Sequence, residues 1–336
     1  MTRIQRGLHI TVVALAVACA AAATAHADGL PVLGIDAGPT GIATTDGTSR
    51  YVTLPTGRGS VVARVAQDGG RVLASRSLPG NFTIPAVAYD GTASGLSGDG
   101  ATLVLISPRV GFPRAHTPLI ALDTRNLRTR RLVNLRGDFS FDAISPDGTR
   151  IYLIRYLSTR DPTRYQVRSY DLPTRRLLPD PIVDPNEPGE PMQGIPVTRA
   201  MSPDGRFAYT LYDRPVGIPF VHALDTAAGR ARCVDLTALA HRPTSAMRLT
   251  VSAKGAGLTV LDGGEPAVEI DTTTYQARSA TTTTTPTTAQ RDGHVPQLAI
   301  GIGIPALLAA TAGTLLLHRR RRAAPDRANP TGVPSR

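Results

Sequence analysis

All-β is the fold class the sequence predicts. Three observations carry it. A strand–turn–strand segment recurs five times. A second hairpin follows each copy. Thirty-two Gly and 28 Pro punctuate 336 residues without reaching the density of a low-complexity chain. Five units of four strands are the sequence form of a β-propeller of about five four-stranded blades, with six as the alternative. One C-terminal transmembrane helix is predicted in addition.

Residues 1–27 read as a secretory signal peptide. Arg3 and Arg6 form a positive start, Leu8 to Ala18 an apolar stretch, and Ala25-His26-Ala27 an A-x-A cleavage site. The mature ectodomain then spans 28–280. Its repeat segments are ATTDGTSRYVTL (43–54), GLSGDGATLVLI (95–106), AISPDGTRIYLI (143–154), AMSPDGRFAYTL (200–211) and TVSAKGAGLTVL (250–261). Asp-Gly is a strong hairpin signal because Gly accepts positive φ without steric cost. The β-branched and aromatic residues behind it, as in Arg150-Ile151-Tyr152-Leu153-Ile154, favour a strand.

The second hairpins are marked by Asp-Thr or a close relative, at 119–135, 167–179, 221–236 and 267–278; the first unit has 61–78 instead. A single such unit cannot bury its own faces, so the units must stack. The strand PVLGID (31–36) is available to complete or latch the ring. Asp147 and Asp204 recur with the turn, which assigns them to turn capping rather than to chemistry.

SPDGTRIYLI followed by VRSYDLPTRRLLP resembles the repeat of YVTN, TolB-like and WD40-like bacterial β-propellers, over residues 40–280. The resemblance implies the architecture. It implies little about activity, since such repeats serve binding proteins, periplasmic scaffolds and some hydrolases. The fifth unit departs from it with Ser-Ala-Lys-Gly.

Residues 272–294 shift to Thr, Ser and Pro without apolar periodicity and read as a stalk overlapping the last strand, open to O-glycosylation. Residues 298–317 hold no charge; twenty residues at 1.5 Å each match a bilayer core of about 30 Å. Arg319 to Arg322 follow and place the 318–336 tail in the cytoplasm. The expected location is the cell membrane, single-pass, with the ectodomain outside.

That topology explains the charge. The chain carries 37 basic and 26 acidic residues. Two arginines fall in 1–27, and six basic residues with Asp326 fall in 318–336, leaving 29 basic against 25 acidic between them. The excess is largely an address, and nucleic acid is not an expected partner. Cys233 is the only cysteine of the exported part; in the alternation ARCVDL it reads as a small buried hydrophobe.

In a propeller the B–C and D–A connections share one end. Here they are the long segments 107–117, 157–164, 213–219, 78–94, 180–196 and 236–246, and long loops on a rigid scaffold carry function. Arg109, Arg114, Arg160, Arg164 and Arg214 stand in the B–C loops. Guanidinium forks match carboxylates and phosphates, so these five are the candidate ligand-binding residues.

DPNEPGEP (184–191) offers carboxylates that suit Ca²⁺, yet lacks the spacing of a known calcium loop and reads as a Pro-rich connection. His116, His222 and His241 form no H-E-x-x-H, and no G-x-S-x-G or P-loop occurs. No catalytic residue, metal or cofactor is assigned. The expected function is a membrane-anchored extracytoplasmic scaffold that binds an envelope protein or extracellular ligand without catalysis. The alternative is a hydrolase or lactonase-like enzyme with an axial site. For that alternative, the groups to inspect are those of the innermost strands, such as Asp142, Arg199 and Arg248.

Overall fold

The computed structural model describes residues 41–280, apart from Gly69, Glu190, Pro191, Pro215 and Val216. The signal peptide, PVLGID, the stalk beyond residue 280, the transmembrane segment and the tail lie outside the described residues. Among the described residues no helix is long and apolar enough to cross a membrane.

The described residues fold into five successive antiparallel sheets. The first is β1 (Ile42–Ala43), β2 (Ser49–Thr56), β3 (Gly59–Ala66) and β4 (Val72–Pro79). The second is β5 (Thr102–Ile106), β6 (His116–Asp123) and β7 (Thr129–Arg136). The third is β8 (Phe139–Ile144), β9 (Arg150–Tyr156), β10 (Arg164–Asp171) and β11 (Arg176–Leu177), with β12 (Met192–Gln193) also on β10. The fourth is β13 (Ile195–Met201), β14 (Phe207–Asp213), β15 (Phe220–Asp225) and β16 (Arg230–Asp235). The fifth is β17 (Arg248–Val251), β18 (Gly257–Asp262), β19 (Glu265–Asp271) and β20 (Ala277–Ser279). Apart from β12, which pairs with β10, strand order follows chain order in every sheet, which is the up-and-down topology of a propeller blade.

The repeat motif explains each first hairpin. Ser145 Oγ donates to Asp147, accepts the Arg150 N–H at 2.9 Å, and Asp147 Oδ1 accepts the Thr149 N–H at 3.0 Å. The same bonds recur at Thr44/Asp46, Ser97/Asp99 and Ser202/Asp204. In the fifth sheet Lys254 replaces the Asp, but Ser252 Oγ still accepts the Gly257 N–H at 3.1 Å. Gly148 closes its turn at φ 68°, and a Cβ there would meet Thr102 Oγ1 at 2.5 Å.

The Asp-Thr signal of the second hairpin has its own reason. Thr124, Thr226 and Thr272 donate to the carbonyls of Gly100, Arg206 and Gly255 at 2.6–2.7 Å. Each bond ties the C–D turn to the A–B turn of its own sheet, so both sets of short turns share one end.

The second sheet differs from expectation at its innermost position. Gly95 to Ser97 and Thr83 share the edge of β5, through Leu96↔Leu103 and Thr83↔Ile106 bridges. Pro85 has no N–H to continue a ladder, and the chain between them turns back on itself at Ala86↔Ala93.

Alternation along the B strands joins neighbouring sheets. In β5, Leu103 and Leu105 pack toward the first sheet, whereas Val104 and Ile106 pack toward the third. In β9, Ile151 and Leu153 face the second sheet; Tyr152 and Ile154 face the fourth. In β14, Ala208 and Tyr212 face the third sheet; Tyr209 and Leu211 face the fifth. The period of two therefore buries both faces of the middle sheets. Each fully buried Leu, Ile or Tyr of these rows contributes about 1.5–3 kcal/mol.

Candidate binding face and the seam between the third and fourth sheets

The five sequence-predicted arginines separate into three kinds. Arg109 is buried. Its Nε donates to both Asp138 oxygens at 3.0 and 3.2 Å, its Nη2 to Asp138 Oδ1 at 2.5 Å and to Ser140 Oγ at 3.1 Å. Its guanidinium lies 5.0 Å from the Tyr156 ring centroid. Arg114 shares that carboxylate: its backbone N–H reaches Asp138 Oδ2 at 2.9 Å and its Nε stands 3.4 Å from Oδ1. Its other nitrogens bond the carbonyls of Ser107 and Phe139. Burial and the adjacent Arg109 charge pull the Arg114 pKa down to about 10. These two arginines hold the β5–β6 loop onto the third sheet.

Arg160 is exposed on the β9–β10 loop, and Arg164, expected in that loop, is the exposed first residue of β10, where it pairs with Gln193 of β12. Arg214, on the β14–β15 loop, lies 4.4 Å over the Phe220 ring and 3.9 Å from Asp235. It lines a cavity of about 520 Å³ with Asp213, Gly217, Pro219, His241, Arg242 and Pro243. Thus the long-connection end presents Arg160, Arg164, Arg214 and Arg242. Sequence reading missed Arg242, because the 236–246 connection carries no motif, and weighed His241 only as a candidate metal ligand.

Two of the three innermost-strand groups, Asp142 and Arg199, pair with each other. Arg199 on β13 bonds the carboxylate and the carbonyl of Asp142, which bulges out of β8, and its Nε donates to Thr210 Oγ1 at 2.8 Å. Arg248 is exposed and bonds its neighbour's carbonyl, Met247 O, at 2.7 Å. The three histidines do not converge: His116 is exposed on β6, His222 is buried on β15, and His241 sits in a loop.

Register shows what the pair belongs to. Arg199, Thr210, His222 and Cys233 are successive cross-strand partners in the fourth sheet. Directly opposed residues project to one face, so the four form a polar row. The flanking rows on that face pack on the third sheet: Ala208, Leu224 and Ala231 on one side, Tyr212 and Phe220 on the other. The row is a polar seam through an apolar interface.

The seam is continued on both sides. Asp142 meets Arg199 at the inner end. At the outer end Asp184, from the β11–β12 connection, accepts the Cys233 N–H at 2.8 Å and Arg232 Nη1 at 3.0 Å. Asp184, Glu187 and Cys233 bring one ligand atom each to within 4.8 Å of one another. Cys233, expected as a buried small hydrophobe, is only half-buried, beside Tyr165, Tyr212 and Phe220; its acidic neighbours are not visible in the sequence. His222 is 1% exposed. Burial lowers its pKa to about 4, against the pull of Asp142, so the imidazole is neutral. Its Nε2 and Asp142 Oδ2 meet no hydrogen-bond partner there.

No protein-family model matches the chain, and no curated protein matches it. Among solved structures it is similar to Kuenenia stuttgartiensis hydrazine synthase, at 16% identity over 74% of this chain and 79% of that one, with a TM-score of 0.40. It is similar to TolB from Acinetobacter baumannii at 15% identity, 69% coverage and a TM-score of 0.40, and spans 51% of that chain. A putative TolB from Agrobacterium tumefaciens matches at 15% identity over 71% of this chain and 78% of that one, with a TM-score of 0.39. Likenesses at this level carry no argument about function.

Proposed function

We propose that this chain is a membrane-anchored, extracytoplasmic propeller of five blades that works as a non-enzymatic scaffold at the cell envelope. In this reading it binds an envelope protein or extracellular ligand through an anionic group of that partner. The observation that carries the binding reading is the 520 Å³ cavity where Arg214, His241 and Arg242 meet on the long-connection end. Arg214 and Arg242 each stand against a carboxylate, Asp235 and Asp262, with side chains that are 19% and 46% exposed. Both can therefore exchange a partly solvated partner for an incoming carboxylate or phosphate. The anchoring reading rests on the charge-free segment 298–317 and Arg319 to Arg322.

Proximity labelling by the tethered protein in its own envelope tests the scaffold. The wild type is expected to mark a partner that the Arg214→Ala/Arg242→Ala variant marks several-fold less. An unchanged set of labelled proteins would overturn the assignment of this face. A reporter fused after Arg336 is expected to be active only if it functions in the cytoplasm; the converse would overturn the topology.

A further inference from the structure

One position of the repeat governs how each sheet meets the next. The fourth residue after the turn glycine is Tyr51, Val104, Tyr152, Tyr209 and Thr259 in the five sheets. Tyr51 packs on the second sheet, Tyr152 on the fourth and Tyr209 on the fifth. The Tyr152 hydroxyl donates to the Thr226 carbonyl, in the C–D turn of the next sheet, at 2.6 Å. In the second sheet Val104 takes this position and packs toward the third, without ring or hydroxyl.

A cavity of about 200 Å³ lies at that interface. Ala121 and Arg131 of the second sheet, which continue the Val104 row, line it together with Thr149, Leu172 and Pro173 of the third. Leu172 is the counterpart of Thr226. The N–H of each donates, at 2.9 Å, to the carbonyl of the residue that follows the turn glycine, Thr149 and Arg206 respectively. The cavity thus has at its wall the residue whose counterpart accepts the tyrosine hydroxyl one interface further on. An apolar cavity of about 150 Å³ holds benzene, so this one has room for a phenol.

The rim carries charge. Arg130 is held by Asp123 and Thr102 at 2.9 and 2.8 Å, and Asp147 by Ser145 and Thr149. Arg131 has no ion partner among the described residues, and its Nε is buried without a hydrogen-bond partner.

We propose that this cavity binds the tyrosine side chain of an acidic peptide segment of a protein partner. The ring takes the place that Tyr152 fills between the next two sheets, and its hydroxyl donates to the Leu172 carbonyl. A neighbouring carboxylate of the peptide pairs with Arg131. The walls of Ala121, Leu172 and Pro173 favour the ring, and the unmatched guanidinium favours the carboxylate. The cavity stands at the short-turn end, away from that of Arg214 and Arg242, so the two sites are independent.

An acetylated, amidated Asp-Tyr-Asp tripeptide is the probe, titrated into the full chain in detergent and followed by ligand-observed NMR. It is expected to saturate with a Kd below about 1 mM. The Asp-Phe-Asp peptide should bind about fivefold more weakly for want of the hydroxyl. The Asn-Tyr-Asn peptide should bind about tenfold more weakly for want of the charge. Arg131→Gln should lose about tenfold toward Asp-Tyr-Asp and nothing toward Asn-Tyr-Asn. Val104→Tyr fills the cavity from within and should bind neither; if that protein does not fold, Arg131→Gln, at a half-buried position, carries the test. The Arg214→Ala/Arg242→Ala protein should bind the peptide as the wild type does. No saturation of the wild type by about 1 mM peptide would overturn the site. So would equal affinity for the Tyr and Phe peptides, undiminished binding by Arg131→Gln or by folded Val104→Tyr, or binding lost in Arg214→Ala/Arg242→Ala.

Discussion

Replacing Asp138 by Asn separates a structural arginine from a binding one. The Arg109 side chain is fully buried and Asp138 nearly so. A guanidinium cannot shed its charge in a protein, so loss of the carboxylate leaves a buried cation with Ser140 Oγ, a carbonyl and the Tyr156 ring. Breaking one partner out of a buried pair costs about 3–5 kcal/mol. Asn keeps the shape and one acceptor, which places Asp138→Asn near 3 kcal/mol on that scale. For a domain of this size that lowers Tm by about 6–12 °C. Replacing both partners together, Arg109→Met with Asp138→Leu, removes the charge as well as its counterion and should recover much of the loss, short of the about 1–3 kcal/mol that the Arg114 N–H forfeits with its acceptor. Arg114 loses an ion partner in both cases but keeps the carbonyls of Ser107 and Phe139. Urea unfolding of the wild type, Arg109→Met, Asp138→Leu and their combination gives the coupling. A loss below about 1 kcal/mol in Asp138→Asn, or additive losses in the pair, would refute the assignment.

Arg160→Ala with Arg164→Ala should leave stability within about 0.5 kcal/mol while weakening binding of an anionic ligand in a titration, because both side chains are exposed. Tyr152→Phe should cost about 1 kcal/mol in urea unfolding, since it removes the 2.6 Å bond from the third sheet to Thr226 O of the fourth. Stability should also fall steeply in acid. Asp204 is held below the ordinary 3.8 by Ser202 and the Arg206 N–H; burial pushes Asp147 up, but Ser145 and Thr149 outweigh it. A carboxylate lowered in the folded state stabilises above the unfolded value, and that contribution disappears as pH drops from about 3.8 through the folded values. Unfolding followed against pH should therefore flatten in an Asp147→Asn/Asp204→Asn protein relative to the wild type.

How much was legible follows from where each interaction closes. The turn motif closes within six residues, from Ser145 to Arg150, so five repeats of it placed the sheets. The Asp-Thr signal located the second hairpins, although its purpose, a bond back to the first turn, spans about twenty residues. Arg109 and Arg114 read as exposed loop arginines because Asp138 lies on the far side of two strands; a loop arginine and a buried one look alike until the partner is known. His222 in FVHAL told only that it alternates. The seam needed register across four strands, and its outer end needed a connection from another sheet. The departure at Gly95 arose from Pro85, whose missing N–H was visible, but the substitute strand Thr83 was not.

The buried polar groups share a location that bears on how a repetitive chain reaches one arrangement. The apolar rows of the repeats are alike enough to pack against more than one neighbour. The charged contacts are not. Asp142 of the third sheet meets only Arg199 of the fourth, and Asp184 meets Arg232 on the next sheet's edge. A wrong pairing of sheets would leave those charges buried and alone, at several kcal/mol each. On this argument the pairs act on the alternatives to the native state more than on the native state itself. Asp142→Leu with Arg199→Met should then unfold at a urea concentration close to that of the wild type. It should, however, refold with a lower yield of native protein after dilution. A yield equal to the wild type, at equal stability, would show that the apolar rows alone select the neighbours.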